Sequence, residues 1–164
     1  MSLFQSITFW SFFSIFLILL DQISKIYFRS ALQYTHSVKI FSFLDIVLAY
    51  NYGAAFGFLS KQGNWAEFSL IIFGIFSISL IIKLFFSLNK KTFTNIALSM
   101  ILSGGIGNLT DRVIYGKVTD FILIHVKNFY FPIFNFADIF ISLGALLLII
   151  DEIFYPEKIK KFNK

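Results

Sequence analysis

The chain of 164 residues has no cysteine, which excludes disulfides, thiolate metal sites and a cysteine nucleophile. It has only two histidines, His36 and His125, far apart and without the spacing of a helical metal-binding pair. A histidine-built metal site is therefore not expected, nor is a cofactor. Charge is scarce. Asp, Glu, Lys and Arg make up 14% of the chain, against about 25% in a typical soluble domain. The net charge of +5 comes from lysines near segment ends. It forms no basic stripe, so nucleic acid is not an expected partner and anionic phospholipid is. The first ten residues hold no Lys or Arg, and no small-residue cleavage site follows the apolar run Ile7–Leu20. That run is expected to be a mature membrane span and not a leader.

What is abundant is apolar surface. The hydrophobic share is 57% and mean hydropathy is +0.79. A bilayer crossing takes about 20 helical residues, and four segments are candidates: residues 7–28, 67–86, 93–110 and 135–154. Between the first two, residues 31–64 read differently. Val38 to Tyr50 is rich in β-branched and aromatic residues and suggests two short strands with a turn. The glycines of Asn51-Tyr52-Gly53-Ala54-Ala55-Phe56-Gly57 suggest close backbone approach. Residues 127–132 read as an irregular connection. The expected fold is an all-α membrane protein, a single domain over 1–164, built as a four-helix bundle with a small β-element on one side.

Lysines are dense on the short flanks around Lys83, Lys90 and Lys91 and at Lys158, Lys160, Lys161 and Lys164. Dense positive charge marks the cytoplasmic side. Both termini are then cytoplasmic, and the Asn51 region and the stretch Gly104–Asp138 lie near the outer face.

That stretch concentrates the polar chemistry. It holds Asn108, Asp111, Arg112, Asp120, Asn135 and Asp138 in a chain that otherwise avoids such groups. Near a membrane they are costly and seldom idle. Asp120 follows the third span and Asp138 opens the fourth, so both belong to one membrane face. Two carboxylates held close share a proton, and such a pair can activate water and protonate a leaving amine. Other uses of the same residues stay open on spacing alone. Asp120 could cap a helix or sit in a turn after Gly116, and Asp138 could form a static bridge with Arg112. The two aspartates could also relay protons or ions in a small transporter. Asp21 and Lys25 form an i,i+4 pair that reads as structural.

Five elements in order go beyond spacing. Asp21-Gln22-Ile23-Ser24-Lys25, Asn51-Tyr52-Gly53-Ala54-Ala55-Phe56, Gly104 to Arg112, Val118-Thr119-Asp120-Phe121 and Phe134-Asn135-Phe136-Ala137-Asp138 span nearly the whole chain. Together they resemble the DQxxK, NxGAAF, GGxxGNxxDR, VxDF and FNxAD elements of the lipoprotein signal peptidases (signal peptidase II), bacterial inner-membrane aspartic endopeptidases. Gly144 stands in the expected place after them. The departures are Ser103 and Gly105, small residues replacing small ones. The resemblance implies that Asp120 and Asp138 are catalytic and that Asn51, Asn108, Asp111, Arg112 and Asn135 bind substrate or shape the site. Asp21, Lys25, Gly53 and Gly107 would support them. It further implies cleavage of diacylglyceryl-modified prolipoproteins before the lipidated cysteine. A monomer is expected. The segment Ala31–Leu59 is expected to hold the extended substrate by main-chain bonds.

Overall fold

The computed structural model describes residues 3–32, 34, 37–53, 64–87 and 92–154. The order is α1 (Leu3–Ala31), β1 (Ser37–Phe41), β2 (Leu44–Asn51), α2 (Asn64–Ser87), α3 (Thr92–Tyr115), β3 (Val118–Val126), β4 (Phe129–Tyr130) and α4 (Phe136–Phe154). The molecule is mostly helical, with one antiparallel sheet in the order β1-β2-β3-β4. The expected motif residues Ala54 to Phe58 lie outside the described residues, as does His36.

The bundle is apolar on its outside. Phe12, Phe16, Ile23, Phe73 and Phe76 are all at least 60% exposed. The stretch Glu67–Phe85 of α2 has a mean hydropathy of 2.4, and none of its most apolar window is buried. The buried set is instead rich in polar groups, including Asp21, Lys25, Asp111 and Asn135 at 0% exposure. Among the described residues, Thr8–Ala31 and Glu67–Phe85 are long and apolar enough to cross a membrane.

α3 runs further than the expected 93–110. It continues through its glycines to Tyr115 and stops where Gly116, at φ +67°, donates its N–H to Arg112 O at 3.0 Å. Only a residue without Cβ takes that left-handed turn cheaply. The glycines do not break α3 because they face close neighbours. A β-carbon at Gly104 would meet the Ala137 carbonyl of α4, and one at Gly107 would meet Asp21.

The sheet is larger than expected. Residues 118–130, where no strand was expected and of which 127–130 fall in the expected irregular connection, supply two of its four strands. β3 pairs with β2 from Asn51–Val118 to Leu44–Ile124, with an irregularity between Ile46 and Ala49. β4 returns on β3 through a two-residue turn, with His125 opposite Tyr130 and Lys127 at φ +54°. Asp120 is thus a buried strand residue opposite Ala49, not a helix cap or turn. The start of β3 is buried on both faces, so it lacks the alternation that usually identifies a strand.

Candidate active site

Three residues of α1 lie one helical turn apart on one face: Asp21, Lys25 and Arg29. Lys25 Nζ pairs with Asp21 Oδ2 at 2.9 Å and approaches Asp111 Oδ2 at 3.6 Å. It also donates to Asn108 Oδ1 at 3.0 Å. Arg29 Nη1 reaches Asp111 Oδ1 at 3.4 Å and Thr119 Oγ1 at 3.0 Å. Asp111 Oδ2 also accepts Thr119 N at 2.9 Å, which ties α3 to β3. Two carboxylates thus face two cations in a nearly closed network, the condition under which buried charge is tolerated. Asp21 has a further task. Its Oδ1 accepts Ala137 N at 2.9 Å, in the first turn of α4, while Gln22 Nε2 bridges its Oδ2 and Gly107 O at 3.1 Å each. The close approach permitted by Gly107 is what lets Asp21 reach that far.

Above this layer lie Asp120 and Asp138. The chain entering α4 is sewn to β3: Ile122 N donates to Phe134 O at 2.8 Å, and Phe134 N to Ile122 O at 3.0 Å. Asn135 therefore starts α4 directly beside Asp120. Its side chain caps the helix, with Oδ1 accepting Asp138 N at 3.0 Å, and Asp138 Oδ2 accepts Asn135 N in return at 3.2 Å. This reciprocal arrangement is a capping box. The same Asn135 amide donates through Nδ2 to Asp120 Oδ1 at 2.6 Å. One residue thereby holds both carboxyl groups, that of Asp120 through its side chain and that of Asp138 through its backbone N–H. Asn108 Nδ2 donates to the other Asp138 oxygen at 2.8 Å.

The two aspartates occupy different electrostatic environments. Asp138 accepts N–H groups at both oxygens at the N-terminus of α4. Burial and the neighbouring Asp138 charge push the Asp120 carboxyl up to about 7. The hydrogen bonds from Asn135 and Asn51 and the charge of Lys25 oppose that rise without cancelling it.

On the other flank, Asn51 Oδ1 accepts Gly53 N at 3.0 Å, a local turn that fixes the chain leaving β2. Gly53 O accepts Arg112 Nη2 at 3.1 Å, and Arg112 Nη1 lies 3.4 Å from Asn108 O. Arg112 thus stands at the site's edge, held by two carbonyls and not by Asp138. An apolar cavity of about 330 Å³ lies between α2, α3 and α4. Its lining includes Gly74, Ser77, Ile78 and Gly105, and it extends to Asn108 and Arg112. Among the described residues, no three His, Asp or Glu side chains come together as a potential metal site.

All eleven residues singled out from the sequence converge on this end of the bundle. Asn51, Asn108, Arg112, Asp120, Asn135 and Asp138 form the upper layer, while Asp21, Lys25, Asp111, Gly53 and Gly107 hold it in place. Sequence reasoning missed Arg29, Thr119 and Gln22. Arg29 was detectable as the third member of the stripe Asp21, Lys25, Arg29, four residues apart. Thr119 carried no spacing signal, because its partners come from α1 and α3.

The family model for signal peptidase (SPase) II matches residues 13–154. The lipoprotein signal peptidase of Cellvibrio japonicus is 41% identical over 151 residues, covering 92% of this chain and 89% of that protein. That of Cupriavidus necator is 39% identical over 144 residues, covering 88% and 82%. A solved bacterial membrane enzyme superposes with a TM-score of 0.84 at 28% identity, over 96% of this chain and 95% of that one. A second, also a bacterial membrane enzyme, gives 0.76 at 30% identity, over 90% and 92%. With so complete a match over the whole bundle and its polar end, the chain belongs to the signal peptidase II family, the lipoprotein signal peptidases.

Proposed function

We propose that Asp120 and Asp138 are the catalytic pair of this peptidase. The observation that carries the assignment is Asn135, which binds both carboxyl groups at once. The pair works with one proton between its members. Asp138, held by donors at both oxygens, takes a proton from water as that water attacks the scissile carbonyl carbon. Asp120, whose carboxyl is pushed up to about 7, carries the shared proton and gives it to the carbonyl oxygen. Collapse of the tetrahedral intermediate re-forms the carbonyl and breaks the C–N bond: one hydroxyl proton of the gem-diol returns to Asp120, and the amine leaves with the proton taken up by Asp138. Arg112 presents guanidinium donors beside this point, suited to a backbone carbonyl of the substrate.

The substrate in this reading is a diacylglyceryl-modified prolipoprotein, cut just before the modified cysteine. The apolar cavity that ends at Asn108 and Arg112 gives the apolar part of such a substrate a path to the pair. The edge of β2 at Ala49–Asn51 lies beyond the described register of β1, which stops at Ser37–Val47. It offers main-chain groups next to Asp120 for an extended segment. All four helices cross the bilayer, both termini are cytoplasmic, the pair lies near the outer face and the enzyme acts as a monomer. Supporting this are four helices of at least 19 residues, exposed apolar flanks and a network of buried charged groups gathered towards one end. Membership of a peptidase family favours hydrolysis over the ion relay that spacing alone left open.

The test is cleavage by purified protein of one precursor in lipid-modified and unmodified forms. Rapid cleavage of the modified form alone is expected. Equal rates would remove the lipid from the recognition, and proton flux into vesicles without cleavage would favour transport.

A further inference from the structure

We propose that Arg29 is a positioning residue of this peptidase: through Thr119 it fixes the part of β3 that carries Asp120. The proposal rests on the catalytic reading of Asp120 above. The family resemblance gives neither residue a role. Arg29 lies one helical turn beyond Lys25, outside the first element, and Thr119 fills the open position of VxDF.

The strand needs a second hold at this point. Pairing with β2 runs from Asn51–Val118 to Ala49–Asp120 and is then irregular as far as Ile46. Phe121 N turns instead to Phe134 O, at 3.0 Å. The ladder is thus interrupted immediately after Asp120, which loosens the pairing locally. Thr119 is bound at all three of its polar groups. Its N–H donates to Asp111 Oδ2 at 2.9 Å, its carbonyl accepts Asn135 Nδ2 at 3.3 Å, and its hydroxyl accepts Arg29 Nη1 at 3.0 Å. The first two bonds use the backbone and need no particular side chain. The third needs this hydroxyl and this guanidinium.

Arg29 is itself fixed. Nη1 also reaches Asp111 Oδ1 at 3.4 Å, and the guanidinium lies over the Tyr115 ring, 4.0 Å from its centroid. A planar group held at an edge and a face has little freedom left. A cation in the last turn of α1 is favoured by the helix dipole, but any basic residue would satisfy that. Stability does not account for the burial either. Nη2 is enclosed and has no hydrogen-bond partner among the described residues, and a buried donor left unfilled is costly. What the arrangement achieves is a connection. α1 reaches past the Asp111 carboxylate to the residue before Asp120, whose Oδ1 meets Asn135 Nδ2 at 2.6 Å. A displacement of about 1 Å at a reacting group can cost roughly 10²-fold in rate.

The test uses Thr119→Val, Thr119→Ser, Arg29→Met and the double variant Arg29→Met with Thr119→Val. Each is assayed on lipid-modified precursor well below its melting temperature, with rates taken per folded enzyme. Thr119→Val keeps the β-branched shape and the Arg29–Asp111 pair and removes only the hydroxyl. It should lower kcat by roughly 10–100-fold with KM unchanged. Thr119→Ser keeps the hydroxyl and should recover most of that loss. Full kcat in Thr119→Val, or equal losses in the two Thr119 variants, overturns the proposal. So does a rise in KM at constant kcat, which would place the pair in substrate binding. In the Arg29→Met background, Thr119→Val should have no further effect; losses that multiply would show that the two residues act independently, and would overturn it too. If Arg29→Met does not fold, the two Thr119 variants decide the matter alone. Asp120→Asn is run beside them. Near-native cleavage by that variant overturns the catalytic reading, whereas an inactive Asp120→Asn beside a fully active Thr119→Val overturns only the positioning role.

Discussion

Lys25 Nζ donates to Asn108 Oδ1 at 3.0 Å, and that bond settles which way the Asn108 amide faces. With Oδ1 taken, Nδ2 points at Asp138. A lysine on α1 thus orients the donor that holds a carboxylate on α4. Lys25→Met should cost about 3–5 kcal/mol, the usual loss when one partner of a buried ion pair is removed. Asp21 would lose its cation, while Asp111 keeps Arg29. Thermal unfolding in detergent measures the loss. Adding Asp21→Asn to Lys25→Met removes the stranded charge and should recover part of the stability, but not the cleavage rate.

Asp120→Asn and Asp138→Asn should each lower the cleavage rate by roughly 10²–10⁴-fold, the range of general acid–base catalysis. Neither should unfold the protein, since an amide oxygen can still accept the Asn135 bonds. Single-turnover cleavage with unfolding controls is the measurement. Near-full activity in either variant would remove that residue from the chemistry.

The Asp120 proton gives a pH dependence with a definite sign. Its carboxyl is pushed from an ordinary 3.8 to about 7. The donated proton is present below that value and lost above it. On the alkaline side, kcat/KM should therefore fall with an apparent midpoint near 7, reported as a property of the pair. The raised value also links to folding. Its contribution to stability is fully present below 3.8 and is lost as pH rises through about 7. Asp120→Asn should abolish that part of the slope in unfolding measured between pH 4 and 8.

Two adjacent glycines should respond oppositely to alanine. At Gly104 a β-carbon would strike the Ala137 carbonyl and lie 2.7 Å from Ile141 Cγ1, so α3 and α4 must separate. Gly104→Ala should cost roughly 1–3 kcal/mol by overpacking and displace Asp138. At Gly105 the nearest atom is Ile78 Cγ1 at 3.4 Å, an ordinary contact. Gly105→Ala should be neutral, or stabilising by up to about 1 kcal/mol through helix propensity. Paired melting curves decide it.

The four helices were legible because long apolar runs leave few alternatives, and β1 and β2 because β-branched and aromatic residues cluster there. β3 was not, although Ile122-Leu123-Ile124-His125-Val126 has strand composition. Its first residues are buried under helices as well as flanked by β2, so they lack the alternation that marks a strand. At the site, the motif residues could be named from their order in the chain, but not their division of labour. Asp21 serves the N-terminus of a helix more than a hundred positions away, a link that local spacing cannot reveal. Arg112 looked like a partner for Asp138, yet its nitrogens bond the carbonyls of Gly53 and Asn108.

The double duty of Asn135 has a consequence for timing. The same residue starts the last helix and binds both aspartates, so a chain ending before it has neither Asp138 nor the donor to Asp120. On the proposed assignment, docking of α4 against Asp21 and Asn108 is the step that completes the pair, so an unfinished copy of this protease would not cut.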